Sequence, residues 1–337
     1  MYADFYGLSA EAFLLTPDHR FFFGSSVHSQ AMAFLNYGIS RGEGFIVITG
    51  DIGAGKTTMV ARLAASIDDK RIISAHVVTT ALTGTDLLRF VASAFGLADL
   101  PDDKAMLLVR LQEFFQTAYR NRKRVLLLVD EAQNLSVDAL EELRMLSNFQ
   151  VGASAPFQSF LIGQPQFRTL LADQNMEQFR QRIIASYHLG ALNPTECGAY
   201  VEHRLRCVGW EGDPFFDPEA LKAIYEQTDG IPRMINNLCS RLMLYGFLEE
   251  LHLFGKDEVE RVAADLKRER SFDPIAQKSR SPQLPAVTSS SDVLPQDISA
   301  KIAALDRRVE VHENFMRRLA VALQLSYSNR SKNSKSA

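Results

Sequence analysis

Apolar positions along the chain switch between two periods. Short apolar runs at Phe45–Thr49, Ile72–Thr79, Val125–Val129, Phe157–Ile162 and Ser186–Leu189 predict five strands. Between them, apolar residues recur at helical spacing near 56–67, 83–95, 103–121, 136–148 and 173–184. This alternation predicts an α/β fold, a parallel five-stranded sheet covered by helices on both faces. Ahead of the first strand, Pro17, Gly24 and the Phe21-Phe22-Phe23 run predict a turn and a short buried segment. Ser25 or Ser26 then caps a helix reaching about Ser40, with Ala31, Phe34, Leu35 and Ile39 on one face.

After Asn193-Pro194 the strand pattern stops. Helical patterns follow at about 194–208, 217–228, 232–249 and 256–268, broken by Gly209, Pro218, Gly230 and Gly255, which predicts a small all-helical domain. Then Ser, Pro and Gln take over, with Pro274, Pro282, Pro285 and Pro295, as in a flexible linker. Beyond it, Ile298, Ile302, Leu305, Val309, His312, Met316, Leu319 and Leu323 alternate spacings of four and three, a coiled-coil seam with one polar position. The expected organisation is therefore a preamble at 1–43, an α/β core at 44–192, a helical domain at 193–270, a linker at 271–297, an amphipathic helix at 298–325 and a polar tail at 326–337.

Composition narrows the class. With 46% hydrophobic residues, the 337-residue chain can bury a substantial core. Thirty-seven basic and 40 acidic residues nearly balance, which counts against nucleic acid or an anionic membrane as partner. Cys197, Cys207 and Cys239 have no metal-ligand spacing and read as free thiols of a reducing cytosol. Met1–Phe13 lacks the charged start and apolar stretch of a signal peptide, and nowhere do 18 apolar residues run together. The expectation is a cytoplasmic protein, reaching the inner membrane through partners rather than a span of its own.

The strongest chemical signal is Gly50-Asp51-Ile52-Gly53-Ala54-Gly55-Lys56-Thr57, a complete G-x-x-x-x-G-K-T between an apolar strand and a helical pattern. Glycines at these positions let the backbone turn tightly and aim N–H groups at phosphate oxygens, and the following helix adds its positive end. Lys56 is expected to reach the β- and γ-phosphates of ATP, Thr57 to offer its hydroxyl to Mg²⁺, and Thr58 to complete the nucleotide-contacting stretch. The run Val125–Val129 delivers Asp130 and Glu131 at a strand end, where open α/β sheets bind ligands. Asp130 is expected in the magnesium shell and Glu131 as the group polarising the attacking water. Gln164, just past the fourth strand, is a candidate for positioning that water or sensing the γ-phosphate. Arg180 and Arg182 are candidate cations for the transition state, and Arg233 begins a helix from which it reaches back over the nucleotide.

With these residues in view, the chain resembles the AAA+ ATPases of the secretion-associated ExeA-like family, the general-secretion-pathway protein A type. The resemblance covers about residues 1–270. It rests on Phe5-Tyr6-Gly7-Leu8, Thr16-Pro17-Asp18, Phe21–Phe23, His28, the P-loop, Val129-Asp130-Glu131-Ala132-Gln133, Gly163-Gln164-Pro165, Arg180-Gln181-Arg182-Ile183 and Gly230-Ile231-Pro232-Arg233. It implies an AAA+ core with a helical lid and ATP sites between subunits of a homo-oligomer. It also implies sensor 1 at Gln164, the arginine finger at Arg182 or Arg180, and sensor 2 at Arg233. Secretion-pathway members continue into a transmembrane helix and a peptidoglycan-binding part; the Pro/Ser linker and heptad helix here resemble the exosortase-associated branch more closely. Three functions follow as expectations: an oligomeric ATPase serving a secretion or exopolysaccharide-export apparatus, a DNA-associated ATPase like the transposition target selectors, and a slowly hydrolysing nucleotide-gated scaffold.

Overall fold

The computed structural model describes residues 2–16, 18–79, 83–152 and 154–271. Pro17 and, beyond Ser271, the expected linker, heptad helix and tail lie outside the described residues. In chain order the elements are α1 (Tyr2–Phe5), α2 (Ser26–Arg41), β1 (Phe45–Gly50), α3 (Lys56–Ser66), β2 (Ile72–Val78), α4 (Gly84–Ala94), α5 (Lys104–Arg120) and β3 (Arg124–Asp130). There follow α6 (Val137–Ser147), β4 (Phe157–Gly163), α7 (Gln166–Ala172), α8 (Glu177–Arg180), β5 (Ile183–Leu189) and α9 (Pro194–Arg206). The described chain closes with β6 (Phe215–Phe216), α10 (Pro218–Thr228), α11 (Pro232–Leu248), β7 (Leu253–Phe254) and α12 (Lys256–Ser271).

The five long strands form one parallel sheet in the order β2-β3-β4-β1-β5. Successive side chains of a strand face opposite ways, so each strand feeds two cores. Phe45, Val47, Leu127, Val129 and Leu161 pack with α4, α5 and α6 on one face. Ile46, Ile48, Leu126, Leu128, Phe160 and Ile162 pack with α2 and α3 on the other. Every residue of β1 and β4 is buried, as a strand covered on both faces requires.

The strand order decides where the chemistry meets. β4 lies between β1 and β3, so Thr49 pairs with Gly163, while Val129 pairs with Leu161. The P-loop, Gln164 and the Asp130-Glu131 pair therefore leave neighbouring strands along one edge of the sheet.

Three expectations change in detail. The stretch read as one helix over 173–184 is a 3-10 turn (Gln174–Met176), the four-residue α8 and then strand, because Ile183 already pairs with Phe45. The helix α7, with Phe167 and Leu171 buried, was not expected. The helical domain also holds a two-stranded parallel pair, Phe215 against Leu253 and Phe216 against Phe254. The first residues of the preamble pack with that domain: Tyr2, Tyr6, Leu8, Ala12 and Phe13 share one core with α9, α10, α11 and α12. Tyr6 donates its hydroxyl to Leu251 O at 2.8 Å, anchoring the segment there.

Candidate active site

Helices α2, α4, α5 and α6 each start on a side-chain cap, supplied by Ser25, Thr83, Asp103 and Ser136. Helix α3 starts on Gly55 at φ 94°, with no side-chain cap. Its first-turn N–H groups are thus left for a ligand, the arrangement that binds phosphate at helix N-termini. Two glycines of the loop have no room for a side chain. A Cβ on Gly53 would stand 2.3 Å from Arg233 Cβ, and one on Gly55 2.8 Å from His28 Nε2.

Lys56, only 7% exposed, donates through Nζ to Gly50 O at 2.7 Å and Asp51 O at 2.9 Å. Burial pulls its ammonium below the usual lysine value, against the carboxylates of Glu131, Asp130 and Asp51. Thr57 Oγ1 donates to Asp130 Oδ2 at 2.8 Å, and the Glu131 amide donates to Asp130 Oδ1 at 2.9 Å. The hydroxyl and carboxylate expected to share Mg²⁺ are thus already adjacent, and oxygen donors suit that ion.

Glu131 has φ 56° and ψ 38°, a left-handed backbone that costs a non-glycine residue about 1 kcal/mol. Thr79 holds it there, its hydroxyl lying 2.9 Å from Asp130 O and 2.8 Å from Glu131 O. Two amides then grip one carboxylate oxygen: Gln133 Nε2 at 2.5 Å and Gln164 Nε2 at 3.0 Å from Glu131 Oε2. Burial raises the Glu131 pKa, but the two amides and the Lys56 charge outweigh it and leave it below the usual glutamate value.

Lys56, Thr57, Glu131 and Gln164 open onto a cleft of about 320 Å³. Gly53, Gly55, Lys56, Thr57, Thr58, Glu131 and Gln164 form its core side. Phe21, Phe22, Phe23 and His28 contribute from the preamble, and Tyr200, Arg204, Arg233 and Asn236 from the helical domain. The Arg233 amide donates to Gly53 O at 3.1 Å, so the start of α11 sits on the P-loop.

Arg180 and Arg182 are not brought to this cleft. Arg180 donates through one nitrogen to Leu171 O and Asp173 O, at 2.6 Å each. Arg182 is exposed and contacts Ser147 O and Asn148. It immediately precedes β5, at the sheet edge where the parallel strands begin, whereas the P-loop lies where they end. Seven residues of strand at about 3.3 Å each separate those edges by about 20 Å.

Sequence reasoning missed several groups. Gln133 appeared in a motif without a role. Glu196 accepts from Ser26 N at 2.6 Å, joining α9 to the start of α2. Arg204, 5% exposed, donates to Ala12 O at 2.7 Å and Leu14 O at 2.8 Å, with its guanidinium 4.3 Å from the centre of the Phe21 ring. Only the helical period of α9 hinted at a buried arginine, and that period reads as well for a surface one.

A family profile described as an AAA domain matches residues 39–171. General secretion pathway protein A of Aeromonas hydrophila is 34% identical over 270 residues, which is 79% of this chain and 48% of that protein. The chain thus spans about half the length of that curated relative. Among solved structures, the ORC2 protein of Aeropyrum pernix in its ADP form matches with a TM-score of 0.54 at 18% identity, over 75% of this chain and 72% of that one. Cdc6p of Pyrobaculum aerophilum matches with a TM-score of 0.56 at 14% identity, over 75% and 70%. Those two likenesses concern the fold alone.

Proposed function

The chain is an AAA+ protein of the general secretion pathway protein A kind, and from that premise we propose that it hydrolyses ATP with Mg²⁺ to drive a secretion apparatus. The observation that carries the hydrolytic part is Glu131, gripped by two amides at the mouth of the P-loop cleft. The backbone amides of Gly53 to Thr57 and the Lys56 ammonium bind the phosphates. Thr57 and Asp130 would hold Mg²⁺, which would supply the positive charge that the leaving phosphates need. Glu131 orients a water and takes up part of its proton, with Gln164 fixing the carboxylate. Arg233, riding on α11, links nucleotide state to lid position.

The remaining charge comes from a neighbouring copy of this chain. Arg182 is the better donor, because its side chain is exposed, whereas the half-buried Arg180 is held by Leu171 O and Asp173 O. The sites then lie between subunits of a homo-oligomer, and the clients are proteins of a secretion or exopolysaccharide-export system, of the exosortase-associated kind. Mixing tests this arrangement. Lys56→Ala keeps its arginine, and Arg182→Ala keeps its pocket, so the mixture should regain phosphate release that neither has alone. Full activity of Arg182→Ala by itself would sink the shared site.

A further inference from the structure

We propose that Gln133 is the positioning residue of this site, holding the Glu131 carboxylate in the sense needed to polarise water and tying it to the loop that carries Gln164. The proposal rests on the hydrolytic reading above.

Gln133 sits in the 3-10 turn Ala132–Asn134 that follows Glu131. Its carboxamide can point only one way. The backbone N–H of Gln164 donates to Gln133 Oε1 at 2.9 Å, and a backbone N–H cannot accept. The donor end, Nε2, is therefore left facing Glu131 Oε2 at 2.5 Å. A flipped amide would set donor against donor at one end and carbonyl against carboxylate at the other.

Lone pairs complete the argument. Oε2 of Glu131 accepts from Gln133 and from Gln164. A carboxylate oxygen has two lone pairs, so Oε2 is filled and Oε1 is the oxygen that meets water. Gly163 protects the arrangement, since a Cβ there would lie 3.0 Å from Gln133 Oε1. Hydrogen bonds to the ionised form also keep a carboxylate ionised.

A merely structural glutamine would hold two loops together without affecting the carboxylate. The full chain, labelled with ¹³C at glutamate carboxyls, separates the two roles, Glu131→Gln assigning the resonance. Gln133→Leu removes the donor, and Gln133→Glu replaces it with a negative acceptor. The Glu131 titration should move to higher pH in Gln133→Leu and further in Gln133→Glu, with thermal melts confirming folded protein. Phosphate release should fall about tenfold or more, part of the 10²–10⁴ that a general base supplies. Affinity for a non-hydrolysable ATP analogue should stay within about twofold, and the acid limb of kcat should follow the carboxyl titration. An unmoved Glu131 titration in both variants overturns the proposal, even if wild-type protein turns over. A moved titration in a wild-type protein without turnover upholds the positioning and overturns the hydrolytic reading instead.

Discussion

Lys56 and Glu131 line the same cleft, and under the proposed function their substitutions should separate binding from chemistry. Lys56→Ala loses the buried ammonium, and ATP affinity should drop at least about tenfold, or 1.4 kcal/mol, in a direct binding titration. Glu131→Gln keeps shape and should bind ATP normally, while kcat falls by about 10²–10⁴. The pH dependence has a definite sign. Because the Glu131 pKa is lowered, its base form persists to lower pH than an ordinary glutamate's, and the acid limb of kcat should lie below the usual glutamate value. A limb near neutrality would contradict the two-amide grip. The P-loop and acidic pair were legible in the sequence because their chemistry is local. Gln133 was not, because its partner Gln164 becomes a neighbour only when β4 enters between β1 and β3.

Helix α2 carries two predictions. Gly38 lies mid-helix, where alanine would gain about 1 kcal/mol of propensity. A Cβ there would stand 2.4 Å from Ile46 Cγ1 and 3.2 Å from Phe160, and overpacking of that kind costs about 1–3 kcal/mol. Gly38→Ala should therefore lower the melting temperature despite its better helix residue. His28, on the first turn, donates through Nε2 to Ala54 O at 3.1 Å and faces the Ser25 hydroxyl at 2.7 Å through Nδ1, with the Phe22 ring edge-on and the Glu196 charge beyond. Burial lowers its pKa, against the Ala54 bond and Glu196. A depressed histidine binds its proton more readily unfolded, so its stabilisation is full above the unfolded value near 6.5 and declines as pH falls below it. His28→Gln should flatten that slope in melts recorded across the range. At this scale the strands were readable because buried parallel strands are continuous apolar runs. The 173–184 stretch was misread because pairing of Ile183 with β1 overrode its helical period, and α7 carries only Phe167 and Leu171 as core positions, too few to show one.

Between core and lid the described chain passes twice, once through residues 14–16 and 18–25 and once through 190–193. Arg204 pins the first crossing, by Ala12 O, Leu14 O and the Phe21 ring, at a wall of the nucleotide cleft. Arg204→Ala strips charge-assisted bonds from the carbonyls of buried Ala12 and exposed Leu14 and should destabilise the lid by about 2–4 kcal/mol. Hydrogen exchange should then quicken in α9 and α11 while the β1 and β4 amides stay protected; uniform protection would show the clamp to be unimportant. That the opening residues belong to the lid core was invisible in the sequence, because Tyr2, Tyr6, Leu8 and Phe13 have partners more than 180 positions away. No helix among the described residues is long and apolar enough to cross a membrane. Hydrolysis at the cleft is the claim on which the rest depends. Steady-state phosphate release with magnesium and ATP, across a range of protein concentrations and beside Lys56→Ala and Glu131→Gln, tests it most directly. The account predicts a specific activity that rises with concentration and vanishes in both variants; turnover that survives Glu131→Gln, or is absent from wild-type protein at every concentration, would contradict it.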